Sequence, residues 1–562
     1  MERTASHIRL LSCALLLGLA ACGGGGGGSD SGPPTNPPPP PPPPPTGLDV
    51  QYLVSAAASF MLGCDRENIG GTAYINSEVE PYLAVNPLDH DTMVGVWQQD
   101  RWSNGSSRSV MSGTSLDGGR TWTRRPIPFS RCGGGTFING GDYARISNPW
   151  VSYAPDGTVH AIGLASNGVL FTAGSANAIV ASRSLDDGLT WSNPIALIRD
   201  GGGFFNDKDA ITADPTDADL VYAVWDRLVA GDNGGPAYFA RSLDGGASWE
   251  PARPIYDPGP TSQTISNVVV VLPTGTLVDM FVQIDFAGGT SSARIAVVRS
   301  FDKGVTWSAP ITVSDLRSVG TSDPQTGNPV RDASIIPQIA VAPNGDLHVA
   351  WQDSRFSAGA RDAIAIAHSI DDGATWTAPA RVSANIDVAA FDPAVHVRDD
   401  GVIGVTYYDF RSDTNAATLL TDYWLARSAD GGATWTESRV SEPFDLSIAP
   451  LTTSTTPGGY FLGDYQGLTS RDNVFLPFFT KANNGDTDNR TDIFSAPAVS
   501  ATTSAVRAVR AARSMSMLRT TPTATNRISD NLQRARRERL PMADSSAHGA
   551  SASGSQRHPS VR

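Results

Sequence analysis

Lysine is nearly missing from this chain of 562 residues: only Lys208, Lys303 and Lys481 accompany 39 arginines. No run of 18 or more apolar residues occurs, which excludes a polytopic helical membrane protein. The eight histidines are scattered, with no His-Glu-x-x-His element and no Cys/His cluster, so no metal site is expected by motif. Glycine loops of the phosphate- or dinucleotide-binding kind are absent; Gly23 to Gly28 opens no helix and reads as linker. Charged residues are only 17% of the chain, and the net charge of −14 argues against a body that grips nucleic acid. Of four cysteines, Cys13 lies in a leader, and Cys64 and Cys132 are an even pair expected to form a disulfide in an oxidising compartment.

The two ends differ from the middle. Residues 1–21 read as a secretion signal: Arg3 and Arg9, then the short apolar stretch from Leu10 to Ala21. Leu19-Ala20-Ala21-Cys22 resembles a bacterial lipobox, which implies lipidation at Cys22. Residues 22–46 then supply a flexible glycine leader and nine prolines, Pro37 to Pro45, a polyproline II stalk of about 28 Å. Residues 499–562 hold 11 Arg against three acids and are expected to be a disordered basic tail. The body between carries 29 basic and 51 acidic residues, so the acidity is concentrated there.

That body is repetitive. Six segments follow Ser-x-Asp-x-Gly-x-Thr/Ser-Trp, beginning at Ser115, Ser184, Ser242, Ser300, Ser369 and Ser428. Their starts lie 69, 58, 58, 69 and 59 residues apart. Asp followed by Gly is turn chemistry, and the Trp opens the next strand, so Asp117, Asp186, Asp244, Asp302, Asp371 and Asp430 read as hairpin staples. Upstream of each box stand two apolar strands and a turn, as in Pro337-Gln-Ile-Ala-Val341 and Leu347-His-Val-Ala-Trp351. Four strands per repeat is the size of a propeller blade. The pattern is that of the Asp-box (BNR) repeat, and residues 47–498 resemble the sialidase-like family of Asp-box β-propellers.

The expected fold is therefore all-β, a β-propeller of four-stranded antiparallel blades. Seven first strands can be counted, although sialidases have six blades, and six remains the alternative. The seventh unit has no box and is one strand short; the N-terminal segment Val50 to Ala56 is expected to complete it and close the ring.

First strands line a propeller's channel, so the polar residues at their expected starts, Glu80, Asn148, Asp207-Lys208-Asp209, Asn267, Gln338, Asp392 and Asp464-Tyr465, gather on one rim. Second strands end in acid–arginine elements: Asp100-Arg101, Asp226-Arg227, Asp353-Ser-Arg355 and Asp409-Phe-Arg411. Such repeated pairs equally suit a scaffold that caps strand ends. The family resemblance implies an arginine clamp for a substrate carboxylate, a tyrosine nucleophile paired with a glutamate, and an acid/base aspartate. Tyr465 with Glu80 and Asp464 are the catalytic candidates, with Tyr407 and Tyr408 as runners-up. Arg101, Arg227, Arg355, Arg411, Lys208, Asp209 and Asp392 are the substrate-binding candidates. The family's Arg-Ile-Pro is absent, and Arg145-Ile-Ser-Asn-Pro149 is only a loose echo.

Two functions follow as expectations. One is an exported, membrane-anchored, exo-acting glycosidase on acidic glycans. The other is a non-catalytic surface propeller binding a glycan or protein partner. Both place a monomer on the outer membrane, periplasmic or surface-facing, without nucleic acid. No cofactor is expected, while Asp-rich turns such as Asp214 to Asp219 leave Ca²⁺ open.

Overall fold

Apolar runs between turn residues form antiparallel meanders because each run is buried on both faces. In the second strand Met93–Trp102, every residue but Trp102 is buried. The computed structural model describes residues 50–67, 69–287, 289–414, 417–453 and 459–497, and the backbone of 504–507. The expected signal, Cys22, the stalk and the remainder of the basic tail lie outside the described residues. Among the described residues no helix is long and apolar enough to cross a membrane.

Six meanders of four strands follow one another. Their first strands are Ala73–Val85, Arg145–Tyr153, Phe204–Ala213, Ser262–Val271, Gln338–Val341 and Ala390–Val397. A seventh set comprises Gly467–Arg471, Val474–Ala482 and Thr491–Ser495. Its outer neighbour is Tyr52–Leu53, which pairs antiparallel with Thr491–Ser495. Each first strand packs against the first strand of the next meander, and Gly467–Arg471 packs against Ala73–Val85. A small extra sheet of Thr321–Ser322, Pro329–Arg331 and Tyr460–Phe461 stands outside this series.

The boxes turn the chain from third to fourth strand. At Ser300 the hydroxyl accepts the Gly304 N–H at 2.7 Å and donates to Asp302 Oδ1 at 2.8 Å. Asp302 then accepts the Thr306 N–H at 2.8 Å and its hydroxyl at 2.6 Å. The Thr306 hydroxyl bond is the main reason the Asp302 carboxyl is held down at about 2. The same bonds recur at Asp117, Asp186, Asp244, Asp371 and Asp430. The box tryptophans divide: Trp122 and Trp435 are buried, while Trp191, Trp249, Trp307 and Trp376 are half-buried at junctions between meanders. Trp307 meets Phe239 of the preceding meander edge-on at 5.4 Å, and Trp122 meets Phe478 of the seventh set at 5.6 Å.

The box glycine is constrained twice. Gly304 has φ +84°, and a Cβ there would approach the Phe239 ring to 2.5 Å. Gly432 has φ +87°, but its nearest neighbour would be Trp435 at 3.7 Å. Gly304→Ala should therefore destabilise more than Gly432→Ala, by about 1–3 kcal/mol of added overpacking. Urea titration of both variants checks this, and equal midpoints would remove the packing argument.

Cys64 and Cys132 are joined, as the even pair implied. The bond ties the segment ahead of the first meander to the loop that leads into the second.

Candidate functional site

Most of the expected channel-rim residues do not start the first strands. Glu80, Asn148, Asp207 to Asp209, Asn267 and Asp392 sit inside them, at β-bulges, whereas Gln338 opens its strand as expected and Asp464-Tyr465 stand just ahead of Gly467–Arg471. Pairing shifts register around Glu80, Asn148, Lys208, Ser266 and Asp392. Each of these residues has a left-handed backbone, with φ from 50° to 63°. A non-glycine residue is held there at a cost of about 1–3 kcal/mol only when its surroundings over-determine it, and bulges re-aim side chains next to sites.

Three bulges border one cavity of about 120 Å³, lined among others by Glu80, Arg101, Asn148, Asp207, Lys208, Arg331, Asp332 and Asp464. Asp464 is its electrostatic centre. Arg331 holds it with two parallel bonds of 2.7 Å, Nε to Oδ1 and Nη2 to Oδ2. Lys208 Nζ lies 2.8 Å from Oδ2 and 3.4 Å from Asp207 Oδ1. Asn148 donates to the same Asp207 oxygen at 2.9 Å. Across the cavity, the Gln98 amide donates to Glu80 Oε2 and to Ser147 Oγ, and Arg101 Nη1 donates to Gln98 Oε1 at 2.9 Å. Phe461 underlies both guanidinium groups, 4.5 Å from Arg101 and 5.2 Å from Arg331.

The two carboxyls are driven apart. Burial pushes Glu80 up, Asp464 adds to that, and Arg101, Lys208 and Arg331 oppose it. Burial would also raise Asp464, but Arg331 and Lys208 outweigh it and hold the carboxyl well below the usual carboxylate range. Arg101 is lowered to about 10, chiefly by burial, and stays charged at neutral pH. Its buried Nε makes no hydrogen bond to any described residue.

Of the catalytic candidates, Glu80 and Asp464 meet at this cavity and Tyr465 does not. The Tyr465 ring is buried against Trp150 at 5.2 Å and Tyr82 at 6.3 Å, and its hydroxyl donates to the Pro149 carbonyl at 2.8 Å. Burial first, then Glu80, Asp209 and Asp464, push its hydroxyl well above the ordinary value, the opposite of an activated nucleophile. The runners-up are also buried, Tyr408 donating to Thr480 O at 2.6 Å and Tyr407 bound to Glu437.

The expected arginine clamp is corrected likewise. Arg227 makes a two-bond pair with Asp200 at 2.7 and 2.8 Å and stacks on Phe204 at 3.5 Å. Arg355 is 2.7 Å from Asp353, and Arg411 is 2.6 Å from Asp409 and 3.0 Å from Glu437. These three fasten strand ends, and only Arg101 and Lys208 of the expected cations line the cavity. Asp209 and Asp392 are buried outside its lining and pushed well up by burial; Asp392 Oδ1 accepts the Ala333 N–H at 2.7 Å. Asp214, in a turn suited to calcium, binds Lys303 at 2.7 Å, Thr216 and Tyr222 instead. The one described group of three close metal-type donors is Cys64, Asp65 and Cys132, whose sulfurs are joined to each other.

Arg331 is the residue that sequence reasoning missed. It comes from the extra sheet, where Pro329–Arg331 runs parallel to Tyr460–Phe461 and sets Arg331 beside Phe461. A signal existed: the boxes at Ser300 and Ser369 stand 69 residues apart where the preceding pair stands 58 apart, and the surplus holds this strand.

Residues 236–462 match the BNR repeat-like domain family. None of the curated proteins compared matches the chain. Similar solved structures include a protein of unknown function from Dyadobacter fermentans, 14% identical, covering 79% of this chain and 96% of its own, with a TM-score of 0.41. A Hadza microbial sialidase is 16% identical over 71% of this chain and 75% of its own, with a TM-score of 0.41. An α-L-arabinofuranosidase from Fusarium graminearum is 14% identical over 59% and 88%, with a TM-score of 0.40. Six boxes turn third strands into fourth strands, and residues 236–462, in the middle of the chain, carry a BNR repeat-like domain.

Proposed function

We propose that the chain is an exported glycoside hydrolase of propeller type, acting from the ends of acidic glycans. The observation that carries this reading is the Glu80–Asp464 pair, two buried carboxyls at one cavity with proton affinities moved in opposite directions. Glu80, protonated, gives its proton to the glycosidic oxygen as the bond to the anomeric carbon breaks. Asp464, kept ionised by Arg331 and Lys208, faces the positive charge that develops there. Water adds to the anomeric carbon and returns a proton to Glu80. The free Nε of Arg101 is suited to an anionic substituent on the sugar. A cavity of about 120 Å³ is small beside ordinary ligand pockets of about 300–1,000 Å³, which favours a terminal sugar over an internal one.

The scaffold fits a seven-bladed ring closed by the N-terminal strand. The serial packing of first strands and the pairing of Tyr52–Leu53 support it over six blades. Membrane anchoring through Cys22, on the periplasmic or outer surface, rests on the lipobox-like Leu19 to Cys22. A non-catalytic monomer that binds a glycan or protein partner is the second reading, and the full engagement of both Asp464 oxygens favours it.

A panel of fluorogenic sialosides, uronides and pentosides separates the two. Turnover of an acidic member that Glu80→Gln removes is the expected result. Absence of turnover across the panel overturns the enzymatic reading.

A further inference from the structure

On the Asp-box side of the molecule, the junctions between meanders share a bridge. The residue just before each of the first four box serines reaches to the fourth residue of the next box and donates to its carbonyl. Thr114 Oγ1 donates to Asp187 O, Arg183 to Gly245 O at 2.8 Å, Arg241 to Lys303 O at 2.7 Å, and Arg299 to Asp372 O at 3.4 Å. At the fifth junction the equivalent donor is His368 and the equivalent acceptor Gly431. Among the described residues no such bond joins these two, and a crevice opens there that both residues line.

A second imidazole faces the first. His348 is the cross-strand partner of His368, and the rings lie 5.9 Å apart, centroid to centroid, at 36°. His348 is only 5% exposed, lines the same crevice, and is hydrogen-bonded by none of the described residues. The Nδ1 of His368 lies 3.4 Å from Thr377 Oγ1, the kind of outer contact that orients a ligand imidazole and leaves Nε2 free. Asp346 of this meander and Asp399 of the next line the crevice as well. Two rings at this separation can share one ion at the roughly 2.0–2.1 Å that zinc–imidazole bonds require. Nitrogen donors of this type select zinc-class transition ions over calcium.

We propose that His348 and His368 form a two-imidazole site for a divalent transition ion of zinc type, completed by water, in the crevice between the fifth and sixth meanders where the four preceding junctions use arginine or threonine. This site goes beyond the proposed glycosidase chemistry and is independent of it. Motif spacing misses it because cross-strand pairing, not a helical or loop repeat, brings residues 348 and 368 together.

The test uses the full chain, stripped with a chelator and with its disulfide intact, titrated with ZnCl₂ by calorimetry and with CoCl₂ by visible absorption. One equivalent should bind, with a cobalt d–d band and a rise in melting temperature. His348→Ala and His368→Arg should each weaken zinc binding on the order of a hundredfold or more, as loss of a ligand exceeds loss of an outer contact. His368→Arg restores the residue found before three of the preceding boxes, so its fold should persist, as circular dichroism would confirm. Undiminished stoichiometric binding in His368→Arg, or no binding of either ion to the unmodified chain below millimolar concentration, overturns the proposal.

Discussion

Glu80→Gln should lower kcat on any substrate the panel identifies by about 10²- to 10⁴-fold, the range removed with a general acid. Glutamine keeps the volume and the neutral state of a protonated Glu80, but it has no proton to give. Stability should move the other way. Glu80 is raised in the folded protein, so the folded state binds the extra proton, and ionising it costs stability as pH rises from the ordinary carboxyl range through the folded value. Replacing it by an uncharged isostere removes that loss, so the melting temperature at pH 7 should be unchanged or higher. A simultaneous fall in activity and in melting temperature would mark Glu80 as a structural residue instead. The pH profile adds a second readout. Activity requires protonated Glu80 and should decline on the alkaline side; removing the Asp464 charge, the largest influence raising Glu80 after burial, should shift that decline to lower pH.

What could be read from sequence was local. The boxes were legible because eight consecutive residues contain the whole turn, with Asp302 and Thr306 four positions apart. A seventh unit with one strand too few also pointed to an N-terminal partner, and Tyr52–Leu53 pairs there. The candidate site was legible only as a list of polar residues. Glu80, Lys208 and Asp392 occupy left-handed backbone that their side chains disfavour, so propensity placed them at strand starts and not at bulges. Partners across meanders were invisible: Arg227 was adjacent in sequence to Asp226 but makes its two-bond pair with Asp200. Arg331 reaches Asp464 across 133 residues of chain, a distance over which no periodicity carries information. Tyr465 was misread for the same reason, since only the packing of Tyr82 and Trp150 around it shows a core side chain.

Asp464→Asn should be the most destabilising of the substitutions argued here. Asp464 is 2% exposed in its side chain, and the cations it neutralises are nearly as enclosed, Lys208 at 9% and Arg331 at 18%. Asparagine matches the shape but leaves two close positive charges with Asp207 and Glu80 as their remaining counter-charges. Breaking a buried pair from one side costs about 3–5 kcal/mol. The urea midpoint should fall accordingly, with the slope of the transition unchanged. The pH dependence has a definite sign. Asp464 is depressed in the fold, so its stabilisation is complete above the unfolded carboxyl value of about 3.9 and is lost as pH falls through the folded value. The gap between the native chain and the variant should thus be constant near neutrality and close only below about pH 4. Adding Lys208→Met to Asp464→Asn should recover part of the loss, because one uncompensated cation is then gone. A loss below about 1 kcal/mol at pH 7 for the single variant, the level of a surface pair, would show that solvent reaches this cluster. The low proton affinity assigned to Asp464, and with it the division of labour between the two carboxyls, would then fail together.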